Sequence, residues 1–415
     1  MRRIRQRSAP PCGSRRRSGL ARRHRKRRDT GPSWPAAAPG FARAWLGYGC
    51  RHRSGTRPHT GNRAPCRRPA GDPDGPPPAA EEGGLVSAGL IDVHSHHYPG
   101  SYLDACRRSD SGLEHYVRED GRLVVLQDGA VAAAIPQPLP SMDHRVAMMD
   151  EVDVDVQVMS VSAPNVFRLP RDLRVPLTRD LNDEFGDLVS GGGGRLRFFA
   201  SLPLPDVDAS LAELDRVLDA PGVVGVMLCT TVDRRTLDDD DFAPLWEELS
   251  RRRAVAFVHP TTACSTEGLR EFALSLALDF LAETTNAIGR LTYSGTFERY
   301  PDIRWIFSHL GGTVPFVHHR FDNYAGQFPE CRRHTTRRPS EQLRDLYFDT
   351  VSTHPAAMRC AFETFDISQF LFGTDYPHVP GGLRAFVETL EAAGLPAEDL
   401  ARVRRHNAAA LLGIE

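Results

Sequence analysis

The stretch LIDVHSHH, residues 90–97, decides how this chain is read. Leu90–His94 is an apolar run that reads as a strand, and it ends in a cluster of histidines. Successive side chains along a strand point to opposite faces, so His94 and His96 share one side and can reach one ion. The same grammar returns downstream. The run Ala254–Val258 ends at His259, Ile303–Ser308 ends at His309, and Phe370–Phe372 ends at Gly373–Asp375.

Further strands fall at the alternating Val154, Val156 and Val158, and at Arg197–Leu202, Val223–Leu228 and Leu346–Asp349. Helical stretches separate them at Met142–Asp150, Arg179–Leu188, Ala209–Leu218, Phe242–Arg252 and Gly268–Ala287. Leu383–Ala392 and Pro396–Leu412 close the chain. Strands alternating with helices argue for an α/β chain built as a (β/α)₈ TIM barrel rather than a doubly wound sheet. Residues 85–415 form this unit. Residues 100–140 are poorly periodic and rich in proline, and read as an insertion after strand one. A small hairpin is expected near Arg122–Gln127, and such an excursion can wall a substrate site.

In a (β/α)₈ barrel the C-terminal strand ends ring one mouth, where chemistry occurs. His94, His96, His259 and Asp375 are therefore assigned to one divalent metal, with open positions left for water and substrate. Imidazole nitrogens suit zinc, and the carboxylate gives a harder, mixed site. Lys26 is the only lysine in the sequence and lies far from this unit, so a carboxylated lysine bridging two metals is excluded. His309 precedes Leu310-Gly311-Gly312 and is assigned as the acid/base. The glycines there would let the backbone turn tightly and pass close to a ligand. Carboxylates should orient the ligand imidazoles, with Asp92 as the candidate.

The near-neutral net charge hides an asymmetry. Residues 1–80 hold 19 Arg and one Lys against three acidic residues, a net +17; the rest holds 32 basic and 50 acidic residues, a net −18. The acidic body argues against nucleic-acid binding by the folded part. Residues 1–84 read as a disordered, non-native extension rich in Arg, Pro and Gly, which could meet nucleic acid only non-specifically. No apolar region follows the basic start, and no run of eighteen apolar residues occurs, so neither a secretory signal nor a membrane span is expected. Eight scattered cysteines without a close pair read as reduced thiols in the cytoplasm.

IDVHSH at 91–96, FVHP at 257–260, ERYPDIRWIFSHLGGTVPF at 298–316 and LFGTDYPH at 371–378 together resemble the amidohydrolase-related (amidohydrolase 2) decarboxylases. These are typified by aminocarboxymuconate-semialdehyde decarboxylase. Residues 284–316 look most similar to the 6-methylsalicylate decarboxylase branch. The resemblance covers roughly Leu90–Leu412. It implies a metal-dependent barrel with a small insertion after strand one, and zinc, or manganese in some branches, on His94, His96, His259 and Asp375. His309 matches the family's catalytic histidine. Arg320 matches an arginine that binds the substrate carboxylate from the neighbouring subunit, which implies a homodimer. His354 and His378 stand where the family varies, and would line the pocket or lie behind it.

The expected reaction is non-oxidative decarboxylation of a small aromatic or unsaturated carboxylic acid. A hydrolase acting on a lactone or amide is the alternative on the same fold. One departure bears on the substrate. The muconate-semialdehyde enzymes carry a second substrate-binding arginine where this sequence places Val125, in GRLVVLQDG at 121–129; Arg122 is out of register with it. A monocarboxylate such as a hydroxybenzoic acid fits better than a doubly charged muconate.

Overall fold

The computed structural model describes residues 89–263, 266–379 and 382–414. The expectations for the basic extension, residues 1–84, lie outside the described residues. The strands are β1 (Leu90–His96), β2 (Glu114–Val117), β3 (Leu123–Gln127), β4 (Ala130–Ile135), β5 (Val154–Ser160), β6 (Leu196–Ser201) and β7 (Val223–Cys229). They continue with β8 (Thr231–Val232), β9 (Arg235–Thr236), β10 (Val255–His259), β11 (Arg304–Phe307), β12 (Tyr347–Asp349) and β13 (Phe370–Leu371).

Eight of them form one sheet in the order β1-β5-β6-β7-β10-β11-β12-β13, all pairs parallel. The sheet closes on itself. Val93 N donates to Phe372 O at 2.9 Å, and His96 N donates to Tyr376 O at 2.7 Å. This is the expected barrel. Covered on both faces, its strands are near-continuous apolar runs, as VVGVMLC in β7 and VAFVH in β10 show. Phe257 and Phe199 stack at 5.1 Å between ring centres, and Phe257 meets His94 edge-on at 4.9 Å. The histidines thus rest on a dry aromatic floor.

The excursion after β1 holds a helix, Gly100–Arg107, and a three-stranded antiparallel sheet, β2-β3-β4, larger than the expected hairpin. It is tied to the loop after β10: Thr266 Oγ1 donates to Asp128 O at 2.8 Å, and Ser275 Oγ to Val131 O at 2.7 Å. No helix among the described residues is long and apolar enough to cross a membrane.

Two helices differ from expectation. The one expected at Arg179–Leu188 spans Arg171–Gly191. Pro176 sits in the second turn of this helix, which buries Leu177, Leu181 and Phe185 on the barrel. The helix expected at Gly268–Ala287 starts later and ends later. Phe272 and Ala273 take φ of 60° and 53°, which no right-handed helix accommodates. A π-turn, Ser275–Asp279, then leads into Phe280–Tyr293.

Candidate metal centre

The barrel mouth brings His94, His96, His259 and Asp375 together. One ligand-capable atom from each lies within 4.8 Å of the others. His94 and His96 do share a face of β1, and their Nε2 atoms are 2.9 Å apart. His259 is the last residue of β10. Asp375 lies four residues beyond β13, at φ 56°, on a segment whose backbone is fastened to β1 through Asp375 N to His94 O at 2.7 Å.

Each imidazole is held from behind through Nδ1, leaving Nε2 for the centre. His94 Nδ1 meets Asp349 Oδ2 at 2.6 Å, His96 Nδ1 meets Ser160 Oγ at 3.0 Å, and His259 Nδ1 donates to Pro260 O at 2.7 Å. Such outer partners fix tautomer and ring orientation. Asp375 Oδ1 lies 3.0 Å from His96 Nε2 and 3.3 Å from His94 Nε2, yet no properly aligned hydrogen bond reaches this buried oxygen. Converging acceptor atoms without protons between them suit a cation.

The protonation tendencies of His96, His259 and Asp375 agree. Burial pushes His96 down to about 3 and His259 well below its ordinary value, so both imidazoles are neutral donors. Burial pushes the Asp375 carboxyl up, but His309, His94 and His96 more than reverse this and hold it well below its usual range. Burial also pulls His94 down, and the charge of Asp349 overrides it, raising the imidazole to about 10 when no cation competes for Nε2.

His309 follows β11 at φ 56°, and Leu310, Gly311 and Gly312 are also left-handed. Backbone strain of this kind persists where surroundings enforce it, often at active sites. Asp349 enforces it here: its Oδ1 accepts from His309 N at 2.8 Å and Val351 N at 2.9 Å. His309 Nε2 then lies 3.8 Å from Asp375 Oδ2. The close approach that Gly312 permits is to a helix backbone rather than to a ligand, since a Cβ there would lie 2.4 Å from Leu281 O.

The centre opens into a cavity of about 300 Å³. Ala132–Ala134 of β4 form one wall, and Leu276, Phe280 and Leu281 another. The insertion therefore lines the cavity. No arginine or lysine lines the cavity among the described residues. Val125 is buried, and Arg122, which precedes β3, donates Nη1 to Ala134 O at 3.1 Å, close enough to the cavity residue His378 for its charge to act there.

The other expected residues divide. His378 lines the cavity, with Nε2 2.5 Å from the Tyr98 hydroxyl. His354 does not: it is exposed before the helix Pro355–Thr364, and Ser352 and Thr353 take the rim instead. Arg320 is exposed on the helix Val314–Gln327, outside its own chain's cavity, and donates to the Tyr324 hydroxyl at 3.2 Å. Asp92 touches no ligand imidazole ring. It accepts from Gln157 Nε2 at 2.7 Å, Thr374 Oγ1 at 2.6 Å and His94 N at 3.1 Å, fastening the Asp375 segment to β1. The imidazole-orienting carboxylate is Asp349, which the sequence reading missed. Its signal was present: it ends β12 just as His259 ends β10.

Comparison with known proteins agrees with this geometry. The chain is 30% identical over 314 residues to 6-methylsalicylic acid decarboxylase of Penicillium expansum, covering 74% of this chain and 91% of that protein. The fold matches the crystal structure of Metarhizium anisopliae IDCase in apo form, with a TM-score of 0.70 at 22% identity over 79% of this chain and 98% of that one. It also matches a dihydroxybenzoic acid decarboxylase from Polaromonas sp. JS666 with bound manganese, with a TM-score of 0.65 at 20% identity over 79% of this chain and 97% of that one. The sequence pattern of the amidohydrolase family runs through residues 91–414. The chain belongs to the amidohydrolase family.

Proposed function

We propose that this protein is a metal-dependent carboxy-lyase that removes carbon dioxide from a small, singly charged aromatic acid of the 2-hydroxybenzoate kind. The observation that carries the reading is the near full-length relationship to a 6-methylsalicylic acid decarboxylase, joined to a four-ligand centre at the floor of a largely apolar cavity. His94, His96, His259 and Asp375 hold one divalent ion. Three imidazole donors favour zinc, with manganese as the competing occupant. Bound there, the ion supplies fixed positive charge for a carboxylate and its neighbouring oxygen.

The chain's own residues do the rest. Ala132–Ala134 leave room for a flat ring, and Leu276, Phe280 and Leu281 keep water from it, which strengthens every charge interaction inside. Breaking the ring–carboxylate bond requires the ring carbon to gain a proton. The facing pair of Asp375 Oδ2 and His309 Nε2 supplies it. No arginine of this chain lines the cavity among the described residues, and this supports the assignment of Arg320 to a partner subunit's substrate, and hence a homodimer. The free state of Cys106, Cys229, Cys331 and Cys360 supports a reducing, cytoplasmic setting.

The test is turnover of the metal-loaded protein on hydroxybenzoates and small lactones. Carbon dioxide release from a 2-hydroxybenzoate supports the decarboxylase. Lactone opening without carbon dioxide replaces it with a hydrolase.

A further inference from the structure

Arg145 is 2% exposed, on the helix Met142–Asp150. A buried charge normally has a charged partner, because removing it from water is costly. Arg145 makes no ion pair with any described carboxylate. Its guanidinium is satisfied by neutral oxygens and a ring. Nη2 donates to His96 O at 2.6 Å, and Nη1 donates to Gln157 Oε1 at 2.5 Å and Ser95 Oγ at 3.4 Å. The guanidinium carbon sits 4.7 Å from the Tyr376 ring centre, and Nε has no hydrogen-bond partner.

These contacts reach the metal centre from behind, at one ligand and at the residue after another. His96 is itself a ligand, and Tyr376 follows the ligand Asp375. Gln157 passes the connection on to Asp92, whose Oδ2 also holds Thr374 Oγ1, one residue before Asp375. One side chain thus ties together the end of β1, β5 and the segment after β13, the three pieces that set His94, His96 and Asp375 relative to one another.

We propose that Arg145 is a positioning residue that holds His96 and Asp375 at the spacing the metal requires. This rests on the metal reading above. Two other roles predict different outcomes. If the guanidinium acted only as a nearby positive charge, removing it would tighten binding of a cation. If it only supported the fold, removing it would lower the melting point of the metal-free protein and leave the affinity of the folded protein unchanged.

The experiment is a chelator-competition titration of zinc into metal-free, full-length wild type, Arg145→Met, Arg145→Lys and Gln157→Leu. Folding is checked by circular dichroism, and cobalt absorption spectra report ligand geometry. Wild type must first bind one equivalent, and failure there would overturn the metal reading itself. The expected result is a loss of about 10–100-fold in zinc affinity for Arg145→Met, the range seen when outer partners of ligands are removed, with an altered cobalt spectrum. Arg145→Lys and Gln157→Leu should each show a smaller loss. Unchanged or tighter zinc binding with the wild-type cobalt spectrum overturns the proposal. If Arg145→Met does not fold, the milder pair decides: wild-type affinity and spectrum in both overturn it equally.

Discussion

Replacing Asp349 by asparagine tests the site where it is most tightly specified. The carboxylate serves the His94 ring through Oδ2 at 2.6 Å and two backbone donors, His309 N and Val351 N, through Oδ1. Every contact needs an acceptor, and asparagine has only one acceptor atom. If its oxygen faces the two amides, its NH₂ faces His94 Nδ1. The imidazole must then accept there, and its proton moves to Nε2, the nitrogen aimed at the metal. If the oxygen faces His94 instead, two buried amides confront an NH₂, at about 1–3 kcal/mol for each unsatisfied group. In either orientation metal affinity should fall about 10–100-fold, on the order of 1.4–2.7 kcal/mol. The second orientation also releases the strained His309 turn, so turnover at saturating metal should fall as well. Chelator competition gives the affinity, and steady-state rates at saturating zinc give turnover. An Asp349→Asn protein that keeps both within twofold of wild type refutes the reasoning.

Four further outcomes follow from the same geometry. His259→Ala should lose stoichiometric metal, whereas His309→Ala should keep it by elemental analysis and lose about 10²–10⁴-fold in kcat, as removal of an acid/base does. On the proposed dimer, Arg320→Ala should raise KM without changing metal content, and sedimentation of wild type and variant should show whether a dimer forms. Gly312→Ala combines φ 67° with a 2.4 Å approach to Leu281 O; it should destabilise the fold by more than ~1 kcal/mol in urea titrations and lower turnover through His309. Burial, reinforced by the charge of Asp279, pushes Glu283 up from 4.5 to about 7. The folded state therefore binds its proton more tightly than the unfolded chain. This stabilisation is fully present below about pH 4.5 and is lost as pH rises through about 7, at most about 3 kcal/mol. Glu283→Gln should flatten that part of the stability–pH curve measured by denaturant unfolding.

Much of the site was legible because barrel geometry makes strand ends converge. Once apolar runs were seen to stop at His94, His259, His309 and Asp375, their meeting followed from topology. Carboxylates behind the ligands were harder to place. Asp92 is near His94 in sequence but turns to Thr374 and Gln157, whereas Asp349 is 255 residues from His94 and touches its ring. Its place at the end of β12 put Asp349 at the mouth, but only the closed barrel shows which ring it meets. Arg145 falls within the expected helix Met142–Asp150, where nothing local marks a buried arginine. His354 stands where the family varies, and the turn at Ser352 and Thr353 carries it outward to the start of the next helix. The helix boundaries near Pro176 and Phe272 failed where tertiary packing and local backbone strain override propensity.

The central claim is tested most directly by carbon dioxide release from 2-hydroxybenzoates by full-length protein loaded with zinc or manganese. Metal content should be measured on the same sample. The account predicts close to one equivalent of metal per chain and metal-dependent carbon dioxide release that His259→Ala abolishes. A folded protein that holds less than about half an equivalent after loading contradicts the four-ligand centre. A fully loaded protein that opens lactones but releases no carbon dioxide contradicts the decarboxylase.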